Sequence, residues 1–300
     1  MSESNQSFLN SIKTLFVSRK SMAFIYTWTA AIGALIAGRG LPAMQPTFLA
    51  MGASLFITMS VYLYNDVVDR EMDAASPTNI KKERPLAGGQ VPLSHAMNTV
   101  YLFAILGLTL GFFAGRNAFI VCAIYFVLFS LYSYPKIRFK RMFIVKSLVT
   151  STGPSLTMLI AGIAVGGIIT TPLLFAAATE MVFMFFVLPG LADSFDLEED
   201  KAFGMKTMAM VMSWTQKVQF MVLSVLIVFS AGIVGFYYLG FNIILPAGIS
   251  LFSIIMMKEI APLFKGYSEE GARRVRKVAY GFYTFVPVLM ALGLMSLPFL

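Results

Sequence analysis

Two short acidic segments contain most of the side chains in this sequence that could do chemistry. The first, NDVVDREMD, contains Asn65, Asp66, Asp69 and Asp73, and the second, DSFDLEED, contains Asp193, Asp196 and Asp200. Both segments have the aspartate spacing D-x2-D-x3-D. At about 100° per residue, this spacing predicts three carboxylates within roughly 60° of arc on one face of a helix.

Each cluster needs a counter-charge, because like charges one turn apart repel and negative charge at a helix C-terminus opposes the helix dipole. Solvated helix ends are the alternative interpretation. Six aspartates without a supporting histidine or cysteine offer the hard oxygen ligands that Mg²⁺ prefers, rather than the ligands typical of zinc. The clusters therefore predict a Mg²⁺ site that leaves room for the phosphates of a substrate.

The position of the clusters also indicates the kind of substrate. Both follow long apolar runs, so a charged head could bind at the clusters while a hydrocarbon tail stays in the membrane. A diphosphate bound to Mg²⁺ is a good leaving group, because the metal neutralises charge that develops as the C–O bond breaks. We therefore expect a prenyl diphosphate as the substrate.

The elements that must position these clusters are hydrophobic. The chain has 300 residues, of which 58% are hydrophobic and 13% charged, a composition typical of membrane proteins. Nine apolar runs are long enough to cross a bilayer: 21–38, 43–64, 97–114, 117–134, 145–165, 171–192, 216–238, 242–262 and 279–298. The sequence thus predicts an all-α polytopic membrane protein in which residues 1–300 form one membrane-embedded domain.

The charged residues lie between these runs, so the net charge of +8 indicates membrane topology rather than nucleic-acid binding. Of the 23 Lys and Arg residues, 21 fall in alternate connecting segments that begin with the N-terminus; Arg39 and Arg116 fall in the others. The positive-inside rule predicts a cytoplasmic N-terminus, cytoplasmic aspartate clusters and an external C-terminus. Glu180 lies inside the sixth run, and we expect it to face the bundle interior, in a structural or functional role.

Several motifs together resemble the UbiA superfamily of intramembrane prenyltransferases over essentially the whole chain. They are the two aspartate segments, their separation, the nine runs, ERPLAGGQVP after the first cluster and LYSYPKIRFKR after the fourth run. The resemblance implies nine transmembrane helices around a central cavity, with the aspartate motifs facing each other at its cytoplasmic mouth. It also implies Mg²⁺ as the cofactor, a polyprenyl diphosphate as the donor and an apolar chamber that opens toward membrane lipids.

The resemblance implies roles for particular residues. The six aspartates named above are expected to be catalytic, and the metal ligands are expected to be Asn65, Asp69, Asp73, Asp193, Asp196 and Asp200. The diphosphate is expected to bind Asn65, Arg84, Lys140 and Arg141. Two departures from the family pattern concern basic residues: AASPTNIKKE looks like an insertion before Arg84, and SRKSMAF replaces the usual R-P-x-N, which argues against a role for Arg19.

The second motif, followed by Gly204, Lys206 and Thr207, looks most like the archaeal branch that makes digeranylgeranylglyceryl phosphate. That branch implies geranylgeranyl diphosphate as the donor and geranylgeranylglyceryl phosphate as the lipophilic acceptor. An aromatic acceptor such as 4-hydroxybenzoate or another quinone precursor stays open, as do chlorophyll-type esterification and haem O synthesis. A transporter with the aspartates as an ion site is an alternative of another class, although such sites usually lie near the bilayer midplane.

Overall fold

The structure, a computed structural model, describes residues 7–76, 79–191, 193–194 and 197–295. Its helices are α1 (Phe8–Ser18), α2 (Lys20–Gly38), α3 (Met44–Ala74), α4 (Asn79–Lys82), α5 (Leu93–Ala114), α6 (Arg116–Ser133), α7 (Phe143–Gly166), α8 (Thr171–Leu191), α9 (Leu197–Ala202), α10 (Met208–Val211), α11 (Trp214–Tyr238), α12 (Ile244–Ile260) and α13 (Glu269–Leu294). Short 3₁₀ segments cover Phe139–Arg141 and Ala261–Lys265. The described residues form no strand, so the predicted all-α class is confirmed.

Within the described residues, nine helices are long and apolar enough to cross a bilayer: α2, α3, α5, α6, α7, α8, α11, α12 with its 3₁₀ extension, and α13. Each corresponds to one predicted run. The largest differences are at two polar ends, because α3 continues from the predicted end at residue 64 to Ala74 and α13 begins at Glu269 instead of residue 279. Hydropathy detects only the part of a helix that lies in hydrocarbon, and both helices continue beyond it.

Polar caps fix where two of these helices begin. At the start of α11, the Ser213 hydroxyl accepts from the Gln216 backbone N–H at 3.3 Å, and the Gln216 side chain accepts from the Ser213 N–H at 2.8 Å. This reciprocal pair is a capping box. At the start of α13, Ser268 accepts from the Gly271 N–H at 3.2 Å, and two glutamates in the first turn favour the helix dipole.

Small residues bring the central helices close together. A Cβ atom added to Gly33 of α2 would lie 2.1 Å from the carbonyl oxygen of Met158 in α7. A Cβ at Gly107 of α5 would lie 2.8 Å from the backbone nitrogen of Ile57 in α3. Such contacts are typical of membrane bundles, where close backbone packing helps to hold helices together. They fix the neighbours of α3 and α7, the two helices that carry much of the site.

Candidate active site

The last turns of α3 carry the first aspartate motif. Asp66, Asp69 and Asp73 are all buried, with exposed fractions of 5%, 8% and 4%. Asn65 precedes them on the same helix, and its side-chain oxygen accepts from the hydroxyl of Ser133 at 2.8 Å. Because α3 is continuous through Ala74, its 3.6-residue repeat keeps the three carboxylates near one another on its surface.

Two arginines from different parts of the chain contact these aspartates. Arg19, between α1 and α2, forms a two-pronged pair with Asp66, in which Nε donates to Oδ2 at 2.8 Å and Nη2 donates to Oδ1. Arg84 Nη1 lies 2.7 Å from Asp73 Oδ2 and 3.4 Å from Asp66 Oδ1. Burial acts to lower the pKa of Arg19, but the interactions with Asp66, Tyr62 and Asp73 together outweigh it and the pKa is raised. Arg84 thus reaches the motif despite the insertion that precedes it.

The loop between α6 and α7 supplies two cations to Asp69. Arg138 Nη2 donates to Asp69 Oδ1 at 3.0 Å, and Lys140 Nζ donates to Asp69 Oδ2. Arg138 has a φ of +52°, a left-handed conformation that is uncommon for a residue other than glycine. Burial lowers the pKa of Lys140, while the Asp69 carboxylate acts in the opposite direction. This loop therefore brings two positive charges to one carboxylate.

The second motif is not one helix face, and that prediction is wrong. Helix α8 ends at Leu191, and Asp200 lies on the separate short helix α9. The end of α8 is closed by a hydrogen bond from the Asp193 N–H to the Leu188 carbonyl at 3.1 Å. Local hydrogen bonds of this kind satisfy terminal carbonyls without continuing the helix. Asp196, the middle aspartate of the motif, lies outside the described residues.

Lys146 brings the two described aspartates of this motif together. Its Nζ lies 3.0 Å from Asp193 Oδ1 and 3.4 Å from Asp200 Oδ2. Lys146 is in the first turn of α7, so it fixes the second motif to a helix that also packs against α2. The sequence places Lys146 among the 21 basic residues of the alternate connecting segments and predicts no other role for it. The sequence feature that comes closest to indicating this contact is the position of Lys146 at the polar edge of the fifth run.

One cavity of about 450 Å³ meets both motifs. Aspartates of the two motifs line one end of it together with Asn65, Arg19, Arg84, Lys140 and Lys146. We call this part of the bundle the acidic end, defined by Asp66, Asp69, Asp73, Asp193 and Asp200. The rest of the cavity wall is largely apolar and aromatic and includes Val61, Tyr62, Phe129, Tyr132, Pro154 and Met184. The cavity therefore joins a charged end to an apolar chamber.

Three candidate residues have other positions. Asp66 does not line the cavity but holds two arginines that do. Arg141 is exposed and does not line the cavity. Glu180 is buried in α8, as expected, and its Oε1 has no hydrogen-bond partner among the described residues.

The donor set at the acidic end suits Mg²⁺ by its chemistry, since carboxylate and amide oxygens are hard ligands. Among the described residues, however, no three acidic, histidine or cysteine side chains gather as a ready site for a metal ion. The carboxylates of Asp69, Asp73 and Asp200 instead contact cations. A metal would therefore replace these cations as the partner of the carboxylates.

Two curated proteins are similar in sequence to large parts of this chain. The chain is 28% identical over 248 residues to the digeranylgeranylglyceryl phosphate synthase of Sulfurisphaera tokodaii, which covers 82% of this chain and 84% of that protein. It is 31% identical over 199 residues to the lycopene elongase/hydratase of Halobacterium salinarum, which covers 61% of this chain and 66% of that protein.

Solved structures and a family description agree with this relationship. A structure of digeranylgeranylglyceryl phosphate synthase superposes with a TM-score of 0.76 at 20% identity, covering 96% of this chain and 100% of the other. A UbiA homologue from Archaeoglobus fulgidus bound to GPP and Mg²⁺ superposes with a TM-score of 0.66 at 16% identity, covering 93% and 99%. These likenesses show the fold. The sequence model of the UbiA prenyltransferase family matches residues 26–297, so this integral membrane protein belongs to the UbiA prenyltransferase family.

Proposed function

We propose that this enzyme transfers a geranylgeranyl group from geranylgeranyl diphosphate to geranylgeranylglyceryl phosphate, with Mg²⁺ as its cofactor. The observation that carries the proposal is a cavity that joins the acidic end to an apolar chamber. A charged head and a hydrocarbon tail fit the two parts of such a cavity. The choice of acceptor is supported by the 28% identity to a digeranylgeranylglyceryl phosphate synthase over most of both chains.

The donor diphosphate is proposed to bind the cations that now contact aspartates. Arg84 supplies a planar guanidinium, which can pair with two phosphate oxygens at once, and Lys140 and Lys146 supply ammonium groups. The cavity volume of about 450 Å³ falls within the range of roughly 300–1,000 Å³ typical of ligand sites. Arg141 is a weaker candidate, because it is exposed outside the cavity.

The proposed Mg²⁺ ligands are the hard oxygen donors of the two motifs: Asn65, Asp69, Asp73, Asp193, Asp196 and Asp200. A bound metal would supply positive charge for the diphosphate as it leaves. The Archaeoglobus fulgidus homologue with GPP and Mg²⁺ bound supports this cofactor. Asp66 is proposed to act through its arginines, because it holds Arg19 and contacts Arg84 from outside the cavity lining.

In the proposed reaction, the acceptor hydroxyl oxygen forms a bond to C1 of the geranylgeranyl group. The C1–O bond to the diphosphate breaks, its electron pair leaves with the diphosphate, and the hydroxyl proton passes to water or to the diphosphate. Catalysis then depends on positioning and on stabilising the leaving charge. Aromatic faces such as those of Phe129 and Tyr132 would favour positive charge on the allylic carbon.

The orientation in the membrane is also part of the proposal. We infer that the acidic end and the N-terminus face the cytoplasm and that the C-terminus is external. The support is the distribution of basic residues, of which 21 of 23 fall in alternate connecting segments. This orientation would give the active site access to cytoplasmic diphosphates and Mg²⁺.

The proposal is tested by measuring diphosphate release from purified full-length protein in detergent. Geranylgeranyl diphosphate is offered with geranylgeranylglyceryl phosphate or with 4-hydroxybenzoate, with and without Mg²⁺. We expect release that requires Mg²⁺ and the phospholipid acceptor and that falls about a hundredfold in Asp69→Asn and Asp200→Asn. Glu198→Gln is the matched control, because Glu198 is exposed in the same segment as Asp200.

Two results would contradict the proposal. Turnover with 4-hydroxybenzoate but not with the phospholipid would assign the enzyme to the aromatic alternative. Full activity in both aspartate variants, or in the presence of a chelator, would remove the aspartates and Mg²⁺ from the mechanism.

A further inference from the structure

A second, narrow cavity branches from the main one between α8 and α13. Five residues line both cavities: Met184 and Leu188 on α8, and Arg276, Tyr280 and Tyr283 on α13. Beyond this shared wall, the branch continues between Val187 and Leu191 on one side and Ala279 on the other. We call it the α8–α13 slot. Its shared wall means that a molecule in the slot would lie beside a molecule in the main cavity.

The side chains of the slot combine one positive charge with an apolar wall. Among the described residues that line it, Arg276 is the only charged one, and apart from the two tyrosine hydroxyls the others are apolar. Arg276 Nη2 donates to the Tyr280 hydroxyl at 3.2 Å, and the guanidinium carbon lies 5.6 Å from the centre of the Tyr280 ring. A positioned guanidinium binds phosphate well. One such group beside an apolar slot fits a phosphate with a hydrocarbon chain.

Arg276 lies on a different helix from the cations that are proposed to bind the donor diphosphate. The cations proposed for the donor, Arg84, Lys140 and Lys146, contact aspartates of the two motifs. Arg276 is in the second turn of α13, on the wall shared by the slot and the main cavity. A phosphate at Arg276 would therefore lie at the same end of the bundle as the donor diphosphate but beside it. That arrangement would bring an acceptor hydroxyl close to the donor carbon.

The geometry points to the α8–α13 slot as the acceptor site, in which Arg276 binds the acceptor phosphate and the space between α8 and α13 takes its hydrocarbon chain. This inference rests on the proposed function, because it assumes a phosphate-bearing lipid as acceptor. The slot has a volume of about 50 Å³, far less than the roughly 300–1,000 Å³ typical of ligand sites. Entry of the chain therefore requires side chains to move, and the flexible Met184 is suited to do so. On its α13 side, the slot is lined by the small side chain of Ala279.

Steady-state kinetics of the full-length enzyme can test this assignment. With geranylgeranyl diphosphate and geranylgeranylglyceryl phosphate, Arg276→Gln should raise the acceptor KM about tenfold or more, with the donor KM changed less than about twofold. Arg276→Lys should recover part of the loss. Ala279→Leu, which fills the slot, should raise the acceptor KM in the same selective way.

Controls on the same helix lie outside both cavities. Arg273→Gln removes an exposed arginine that pairs with Glu269 at 2.6 Å, and Gly281→Leu adds bulk at a position where a Cβ would meet no atom within 4 Å. Both controls should keep the wild-type acceptor KM. The thermal midpoint of each variant shows whether it is folded.

The outcomes separate the two proposals. An unchanged acceptor KM in both Arg276→Gln and Ala279→Leu, or an equal rise in the KM of donor and acceptor, would overturn the slot assignment while the proposed function stands. Wild-type enzyme that accepts only 4-hydroxybenzoate would overturn the proposed function, and the slot assignment with it.

Discussion

Lys146 joins the second aspartate motif to α7, and its replacement by methionine tests this contact quantitatively. Its Nζ lies 3.0 Å from Asp193 Oδ1 and 3.4 Å from Asp200 Oδ2, and all three residues are buried. At an effective dielectric constant of about 20, Coulomb's law gives an attraction of roughly 5.5 kcal/mol for the 3.0 Å separation, before the cost of desolvation is counted. Removal of one partner from a buried pair costs about 3–5 kcal/mol. Because these groups border a cavity, we expect the lower value, about 3 kcal/mol.

The assay is the thermal midpoint of the purified protein in detergent. A loss of about 3 kcal/mol should lower the midpoint of Lys146→Met by roughly 5–10 °C in the absence of Mg²⁺. With Mg²⁺ and inorganic diphosphate present, the difference from wild type should become smaller, because the metal supplies positive charge to the same carboxylates. Lys258→Met is the control, since Lys258 is exposed at the end of α12.

Two observations would refute this reasoning. A midpoint within about 2 °C of wild type would mean that the Lys146 contacts contribute little to stability. A loss of the same size with and without Mg²⁺ would mean that the metal and Lys146 do not share the carboxylates of the second motif.

Three further predictions concern the donor and the bundle. At saturating acceptor, Arg84→Gln should raise the donor KM about tenfold, and Arg84→Lys should raise it less. Lysine keeps the positive charge but lacks the planar guanidinium that can pair with two phosphate oxygens. Equal effects of the two variants would contradict this role. Burial lowers the pKa of Lys140, so its ammonium charge is lost at a lower pH than that of an ordinary lysine. Lys140→Arg should therefore extend donor binding to higher pH, measured as the donor KM against pH. An unchanged rise of the donor KM at alkaline pH would exclude Lys140 from diphosphate binding. Gly33→Leu should lower the free energy of unfolding by about 1–3 kcal/mol or more and lower the thermal midpoint, because a Cβ there already meets the Met158 backbone at 2.1 Å. Gly281→Ala is the control and should leave the midpoint unchanged, since a Cβ there meets no atom within 4 Å.

The membrane helices could be predicted because each needs about 20 apolar residues in a row. Every predicted run corresponds to a helix, and the errors are at polar ends such as residues 65–74 of α3 and 269–278 of α13. The short helices α1, α4, α9 and α10 were not predicted. Their lengths of 11, 4, 6 and 4 residues give little periodic signal, and their positions depend on contacts with the bundle.

The aspartates could be identified from their spacing, but their basic partners could not. Arg19 is 47 residues from Asp66, and Lys146 is 54 residues from Asp200. In the sequence both look like ordinary charges beside a membrane span. Only the packing of α2, α3 and α7 brings them to the acidic end. The second motif also shows the limit of periodicity, since its D-x2-D-x3-D spacing continues past the end of α8 at Leu191.

The pairing at the acidic end explains why metal and diphosphate should depend on each other. Each described aspartate there contacts at least one of five cations: Arg19, Arg84, Arg138, Lys140 and Lys146. A diphosphate that bound alone would draw the cations away and leave the buried carboxylates without an opposite charge. A metal that bound alone would take the carboxylates and leave the buried cations without an opposite charge. Both exchanges are unfavourable, because an uncompensated buried charge costs several kcal/mol. When both ligands are present, every charge keeps an opposite partner, so their binding free energies are coupled and each should tighten the binding of the other.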